Sequence, residues 1–433
     1  MKSIFVFIFF VVFSTAFGEK LKIPVSAKQA ILMNADTGAV LYEKRSEELA
    51  YPASLTKIAT CLYVIKTYKK DLNTIVHCPD YCLRSLSKAI KASRTYQDLP
   101  YLLEPDGSHY LLKKGEKLSI QELLYGLMIA SGNDAANVLA HYTGGSISEC
   151  VAGMNRYLKE IGCEKTHFSN PHGLHHPQHY STAKDMALIV KEALKVPLIR
   201  TIVATKEHER PQTNLQPSKT FQNKNLLIQP GKFFYPQAIG MKTGYHSDAG
   251  YTYAAVAKHQ DRTLIAVLLG CPGSYFECFQ DAIQLFEAAF EEEKRERFLF
   301  NKEDNLFCRR LKGGKKGLQA VLTQDVIVSY YPAEEGELTI ELNWEHKRPP
   351  LSRGAVVGTM RVLDQQGQEI HTSSLIAKEE VPRTFLSALA DLISVKNVLS
   401  KKSILLTLLG AACIYFLFFL IQRMKKGRKI KQR

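Results

Sequence analysis

The stretch Pro52-Ala53-Ser54-Leu55-Thr56-Lys57 decides how the rest of the 433-residue chain is read. It places a serine and a lysine three residues apart at what reads as a helix start, where positions i and i+3 share a face. A serine hydroxyl is a weak nucleophile at neutral pH and needs an adjacent base. A lysine amine can be that base only if burial or a second cation lowers its pKa. The pair therefore asks the chain for another cation and for an oxyanion binder. Alone, Ser-x-x-Lys is just as well an N-cap serine followed by a solvated lysine, so the remaining sequence has to decide.

Length predicts two or three domains, and a composition of 45% hydrophobic and 23% charged residues allows a large core. A formal net charge of +15 would suit a nucleic-acid binder if it were spread over the chain. Instead Arg423, Lys425, Lys426, Arg428, Lys429, Lys431 and Arg433 crowd the last dozen residues, beside the apolar run 403–421. That run is close to the roughly 20 residues a spanning helix needs, and its basic flank fits the positive-inside rule. The charge therefore predicts a membrane neighbour and no nucleic acid. Lys2, the apolar core 4–13 and the small residues Ala16 and Gly18 read as a secretory leader, 1–18. The expected topology has the body outside the cytoplasm, one C-terminal helix across the bilayer and a basic cytoplasmic tail, 422–433. Of nine cysteines, Cys413 falls in the apolar run. The other eight would meet an oxidising compartment, and their spacing names no pairing.

In chain order, 30–43 reads as a hairpin turning at Asp36-Thr37-Gly38. Helical periodicity follows from Ser54, over 121–142 with a break at 131–134, over 147–161, and over 181–194. The stretch 71–110 is irregular, and 168–180 is a loop rich in Pro, Gly and His. Residues 239–244 end a strand, and 250–257 and 262–269 predict an antiparallel pair covered by an amphipathic helix over 274–297. Beyond about residue 300, short β-like runs at 324–331, 337–342, 355–363 and 369–375 alternate with Gly and Pro and predict a separate all-β domain. The run 382–399 is amphipathic, either a membrane-surface collar or a plain domain-end helix. The fold class is α+β.

Two further motifs meet the demand set by Ser54 and Lys57. Ser131-Gly132-Asn133 lies between helical stretches roughly 75 residues on, and Lys242-Thr243-Gly244 closes a strand roughly 110 beyond that. Ser54 would form an acyl-enzyme, with Lys57 taking its proton. Lys242 would keep Lys57 from staying charged and attract a substrate carboxylate. Ser131 could relay a proton to a leaving amine, Asn133 donate to a substrate amide and Thr243 bond the carboxylate. Gly244 would let a substrate backbone lie close to the strand. The Ser54 backbone N–H at a helix start offers one oxyanion donor.

Together these motifs resemble those of the D-alanyl-D-alanine carboxypeptidases, the low-molecular-mass penicillin-binding proteins. The resemblance runs over about 30–375 and includes Asp36-Thr37-Gly38, Ser131-Gly132-Asn133-Asp134-Ala135-Ala136, His172-Gly173-Leu174 and Gly358-Thr359. It implies a β-lactamase/transpeptidase-like catalytic domain, 19–297, made of an antiparallel sheet with flanking helices and a helical subdomain. A small all-β domain, 298–378, a membrane-proximal segment, 379–402, and the membrane helix would follow. It implies removal of the terminal D-alanine from the peptidoglycan stem pentapeptide in cell-wall biogenesis and cell-shape control, covalent inhibition by β-lactam antibiotics, and residence in the bacterial cell envelope, anchored in the inner membrane. No cofactor and no metal are expected. The resemblance also implies that the Tyr245 N–H completes the oxyanion hole and that Arg262 helps hold the terminal carboxylate; the bland reading of Arg262 is a solvated strand-end arginine. Two features depart from the family: a full spanning helix with a basic tail replaces the usual amphipathic anchor, and 71–110 looks longer than usual.

Three other readings compete with this one. A class A β-lactamase would deacylate with a glutamate between the second and third motifs, but 167–180 contains no Glu or Asp. A zinc peptidase could use His167, His172, His175, His176 and His179, yet no His-Glu-x-x-His motif is present. A non-catalytic wall-binding module would have no need of Lys57.

Overall fold

The computed structural model describes residues 8–11, 19–93, 99–345, 347–388 and 410. Apart from Gly410, the apolar run 403–421 and the basic tail lie outside the described residues, as does most of 379–402. Among the described residues no helix is long and apolar enough to cross a membrane. The chain divides into two compact units. One holds Ala16–Arg295 with Tyr330–Gly336, and the other holds Met1–Thr15, Glu296–Ser329 and Glu337–Arg433. The returning segment Tyr330–Gly336 thus differs from the uninterrupted 298–378 block expected from sequence.

The first unit is built on a five-stranded antiparallel sheet. Its strands are β1 (Gln29–Asn34), β2 (Val40–Lys44), β3 (Ala238–His246), β4 (Gly250–His259) and β5 (Arg262–Cys271), ordered β2-β1-β5-β4-β3. The Asn34 side-chain oxygen accepts the N–H groups of Asp36 and Thr37 at 2.9 and 3.1 Å, which closes the hairpin turn. Side chains alternate between the two faces with period 2. Ile31, Met33, Ile265, Val267 and Leu269 enter the core shared with the helical subdomain. Ala30, Leu32, Leu264, Ala266 and Leu268 enter the core on the opposite face. Burial on both faces is why these strands read as nearly continuous apolar runs.

Helices α1 (Thr56–Thr67), α2 (Ile120–Met128), α3 (Asn133–Gly144), α4 (Ile147–Glu160) and α5 (Ala183–Leu194) form one side. Ser119, Ser146 and Thr182 cap α2, α4 and α5 by accepting backbone N–H groups. Helix α6 (Tyr275–Phe290) covers the other face and opens with a Ser274/Glu277 capping box. It is shorter than the 274–297 expected, because Glu292 turns away to accept Ala333 N–H at 2.8 Å and Arg262 at 3.2 Å. The next residues form a strand, Arg295–Phe300. A disulfide joins Cys271 at the end of β5 to Cys278 in α6. Cys61, Cys78, Cys82, Cys150 and Cys163 are buried free thiols.

Arg262 is neither solvated nor placed to hold a substrate carboxylate. It begins β5 opposite His259, whereas Lys242 lies level with Ala254 and Val267, five residues further along the sheet. Its guanidinium is 3% exposed, pairs with Glu334 through Nε and Nη2 at 2.8 and 2.6 Å, and sits 3.8 Å from the Tyr331 ring centroid. The role implied by resemblance is therefore corrected: Arg262 pins Tyr330–Gly336 to the first unit.

The second unit contains a six-stranded antiparallel sheet. Its order runs Ile8–Val11, Thr339–Trp344, Val356–Leu363, Glu369–Ala377, Leu318–Leu322 and Phe307–Arg309. Its core is formed by residues such as Leu318, Val326, Trp344, Met360 and Leu375. Within the expected leader, Ile8–Val11 is an edge strand of this sheet, Ile8 opposite Leu342 and Val11 opposite Thr339.

Removing one partner of a buried pair strands a charge and costs about 3–5 kcal/mol. Arg262→Ala should therefore lower the melting temperature of the protein, and Glu334→Gln should do so less. Neither should change the rate of Ser54 acylation in the folded fraction by more than about threefold. A weakened substrate affinity at unchanged melting temperature would return Arg262 to the carboxylate role.

Candidate active site

The three sequence motifs meet at one end of the first unit. Residues Ala53–Leu55 form a 3-10 turn that runs directly into α1, so Ser54 stands at a helix start. The Thr252 hydroxyl contacts the carbonyls of Pro52 at 3.0 Å and Gly244 at 3.1 Å, holding the turn against β3. A Cβ on Gly244 would lie 2.8 Å from Ser54 N and 2.6 Å from Thr252 Oγ1. The glycine is thus required for strand and nucleophile turn to approach. Ser131 and Gly132 link α2 to α3, and Asn133 begins α3 with its N–H on Ser108 O at 2.9 Å. The Asp134 carboxylate accepts the N–H groups of Tyr110 at 2.7 Å and of Leu112 and Ala135 at 2.9 Å, fixing the segment beside Asn133. Ala53, Ser131 and Met241 have φ of +50°, +59° and +141°. Left-handed backbone in non-glycine residues persists only where the surroundings impose it, and here it falls in or beside each motif.

Lys57 is fully buried, and its Nζ has three close oxygen neighbours. They are Ser54 Oγ at 2.9 Å, Asn133 Oδ1 at 2.7 Å and the His172 carbonyl at 2.6 Å. A neutral amine has two N–H donors and one lone pair. Asn133 Oδ1 and the His172 carbonyl can only accept, so they take the two donors, and the lone pair faces the Ser54 hydroxyl. An ammonium would instead donate to Ser54 as well and could not remove its proton.

The electrostatics select the neutral form. Burial pushes Lys57 well below the ordinary lysine pKa, helped by the charges of Lys242 and Lys224 and opposed by Asp134. Burial and then Lys224 bring Lys242 down to about 7. Lys242 Nζ donates to the Thr243 carbonyl at 3.0 Å. The second cation demanded by sequence is therefore present, although burial is the larger cause. Lys224, which donates to Ser108 Oγ at 3.0 Å, is a third lysine of the site that sequence reading missed. It stands in Asn223-Lys224-Asn225, a stretch with no periodicity or turn chemistry to single it out.

The loop 168–180 backs this arrangement. A Cβ on Gly173, where φ is +88°, would lie 1.9 Å from Ala53 O, so only glycine lets the loop sit against the nucleophile turn. The Asn170 side-chain oxygen accepts the N–H groups of His172 and Gly173, and Thr60 donates to Pro171 O at 2.6 Å. His179 Nδ1 accepts Ser169 N–H, so its Nε2–H donates to Thr56 Oγ1 at 2.8 Å, and Thr56 donates on to Ala53 O. His172 Nδ1 accepts Leu174 N–H and its Nε2–H faces Tyr101 O at 3.3 Å. Burial, and then Lys57, lower its pKa to about 3, which keeps it neutral. Two of the five loop histidines that a zinc peptidase could use are thus buried scaffolding.

Ser54, Ser131, Asn133, Thr243, Gly244 and Tyr245 line one cleft of about 670 Å³, with Lys57 and Lys242 buried behind it. Tyr245 follows Gly244 on β3 and its ring stacks on Tyr251. Among the sequence-derived site residues only Arg262 stands apart from this cleft. The depressed lysines give a signed expectation. Acylation of Ser54 by a carboxylate-bearing electrophile should rise with pH as Lys57 loses its proton, and fall above about 7 as Lys242 loses the charge that attracts the carboxylate. Lys242→Arg should remove the basic limb, because an arginine stays charged. A flat profile up to pH 9 in the unsubstituted protein would contradict both assignments.

Comparison with known proteins points to one family. The D-alanyl-D-alanine carboxypeptidase family profile matches residues 16–273, and the profile of the penicillin-binding protein 5 C-terminal domain matches 302–383. The D-alanyl-D-alanine carboxypeptidase DacF of Bacillus subtilis is 32% identical over 82% of this chain and 86% of its own. DacC of Escherichia coli is 31% identical over 82% and 84%. The crystal structure of the Streptomyces K15 DD-transpeptidase superposes with a TM-score of 0.54 at 28% identity, covering 62% of this chain and 99% of that one. Penicillin-binding protein 5 of Haemophilus influenzae shares the fold, with a TM-score of 0.58 at 24% identity over 84% and 100% of the two chains. The chain belongs to the serine-type D-alanyl-D-alanine carboxypeptidase family of penicillin-binding proteins.

Proposed function

We propose that Ser54 is the nucleophile that removes the terminal D-alanine from the peptidoglycan stem pentapeptide, with Lys57 as its base. The observation that carries this reading is the Lys57 amine, buried with two acceptors taking its N–H groups and the Ser54 hydroxyl on its third side. Ser54 Oγ attacks the carbonyl carbon of the penultimate D-alanine as its proton passes to Lys57 Nζ. The backbone N–H groups of Ser54 and Tyr245 hold the oxyanion. Collapse breaks the peptide bond, and the departing amine takes a proton relayed from Lys57 through Ser131. Lys242 and Thr243 hold the substrate's terminal carboxylate, Lys224 adds positive potential, and Asn133 orients the substrate amide. Water then attacks the ester with Lys57 again as base, which frees Ser54. A β-lactam enters the same sequence and stays as the Ser54 ester.

The surroundings proposed for this reaction are those of the cell envelope. The leader 1–18 would direct export, and 403–421 with its basic flank would anchor the chain in the inner membrane, the catalytic unit facing the wall. One experiment addresses chemistry and place together. A fluorescent penicillin added to bacteria producing the full chain should label it stoichiometrically in the membrane fraction. Ser54→Ala should take no label. Lys57→Arg should slow labelling by about 10²–10⁴-fold or more, the usual worth of a positioned base. Removal of 403–433 should shift labelled protein into the soluble fraction. Rapid labelling of Lys57→Arg would end the lysine-base mechanism, and labelled protein that stays in the membrane without 403–433 would end the anchoring assignment.

A further inference from the structure

The histidine-rich loop and the turn after β3 face each other across the cleft rim. His175 comes from the loop 168–180, His246 is the last residue of β3, and Asp248 lies in the turn that leads to β4. One potential ligand atom from each lies within 4.8 Å of the other two. The His175 and His246 rings are 5.3 Å apart and edge to face, and Tyr51 packs against both at 4.6 and 6.1 Å. None of the three takes part in the Ser54–Lys57–Lys242 arrangement, so the mechanism leaves the cluster without a role.

We propose that His175, His246 and Asp248 bind a divalent transition-metal ion of the zinc class, which bridges the two walls of the catalytic cleft. Two imidazoles and one carboxylate are a donor set suited to such ions, and three protein ligands leave a position for water. Zinc–nitrogen bonds of about 2.0–2.1 Å place tetrahedral ligand atoms about 3.3 Å apart, so rotamer changes of the two histidines and the exposed aspartate have to close at most about 1.5 Å. The hydrogen bond at His246 Nδ1 is compatible with this. His246 Nδ1 accepts the Ala249 N–H at 3.1 Å, but that N–H also reaches the His246 backbone carbonyl at 3.1 Å. A turn of the ring to the ion therefore leaves the Ala249 N–H with an acceptor. The ion takes no part in acylation. It ties the loop whose His172 carbonyl supports Lys57 to the turn that follows Tyr245, and so narrows the freedom of the cleft mouth.

Binding is measured on the metal alone and is independent of whether Ser54 reacts. The full chain, stripped of metal by a chelator and dialysed, is titrated with Zn²⁺ by calorimetry and with Co²⁺ by visible absorption. One equivalent of each should bind with micromolar or tighter affinity, and Co²⁺ should give the intense visible band of a four-coordinate site. Asp248→Asn keeps the size of an exposed turn residue and should weaken binding about tenfold or more. Asp248→Asn combined with His246→Gln should abolish it, with an unchanged melting temperature in the absence of metal. No saturable binding up to about 100 μM, or equal binding by the double variant, would overturn the proposal.

Discussion

The structure depends on keeping one amine neutral at full burial. Lys57 Nζ lies within 2.9 Å of three oxygens, of which only Ser54 Oγ carries a hydrogen it can give up. An unpaired buried ammonium is expensive in a medium of low dielectric, and the side chain escapes that expense by losing its proton. Lys242 and Lys224 push in the same direction. In the proposed mechanism, destabilising the charged lysine and activating the serine are one effect.

Much of the surrounding architecture holds that geometry in place. Asp134 ties Tyr110 and Leu112 beside Asn133, so the carboxamide reaches Lys57. Gly173 lets the histidine-rich loop touch Ala53, which delivers the His172 carbonyl to the amine. Thr252 and Gly244 hold β3 against the turn that carries Ser54. His179 and Thr56 complete the chain of hydrogen bonds to Ala53. Each partner comes from a different part of the sequence, and Ala53, Ser131 and Met241 hold positive φ values in or beside these motifs. Arg262 serves the same stability from a distance, by locking Tyr330–Gly336 to the first unit.

The meeting of Ser54, Lys57 and the third motif in one cleft was legible because the chemistry proposed for them dictates residue type and spacing. The hairpin at Asp36-Thr37-Gly38 and the helices over 147–160 and 183–194 were legible because turn residues and apolar periodicity are local signals. Other parts depend on partners far away in sequence. Lys224 gains its meaning only when its segment folds back to Ser108. Arg262 reads the same in sequence whether it faces substrate or Glu334, and only the sheet register decides. Helix α6 stops early because Glu292 is drawn to Ala333, a contact over 41 residues. The strands Glu207–Arg210 and Lys219–Gln222 are polar and largely exposed, so no apolar alternation marks them. The Cys271–Cys278 pairing likewise follows from the position of α6 against β5, since cysteine spacing left every connectivity open.

The protonation state of Lys57 tests the account most directly. Selective ¹³Cε/¹⁵Nζ labelling of lysine, with Lys57→Arg used to assign the resonance, allows its titration to be followed by NMR. A Lys57 signal with the shift of a neutral amine at pH 7, titrating well below the other lysines, is the predicted result. A signal that keeps its ammonium shift above pH 9 would contradict it, and Ser54 would then need a different base.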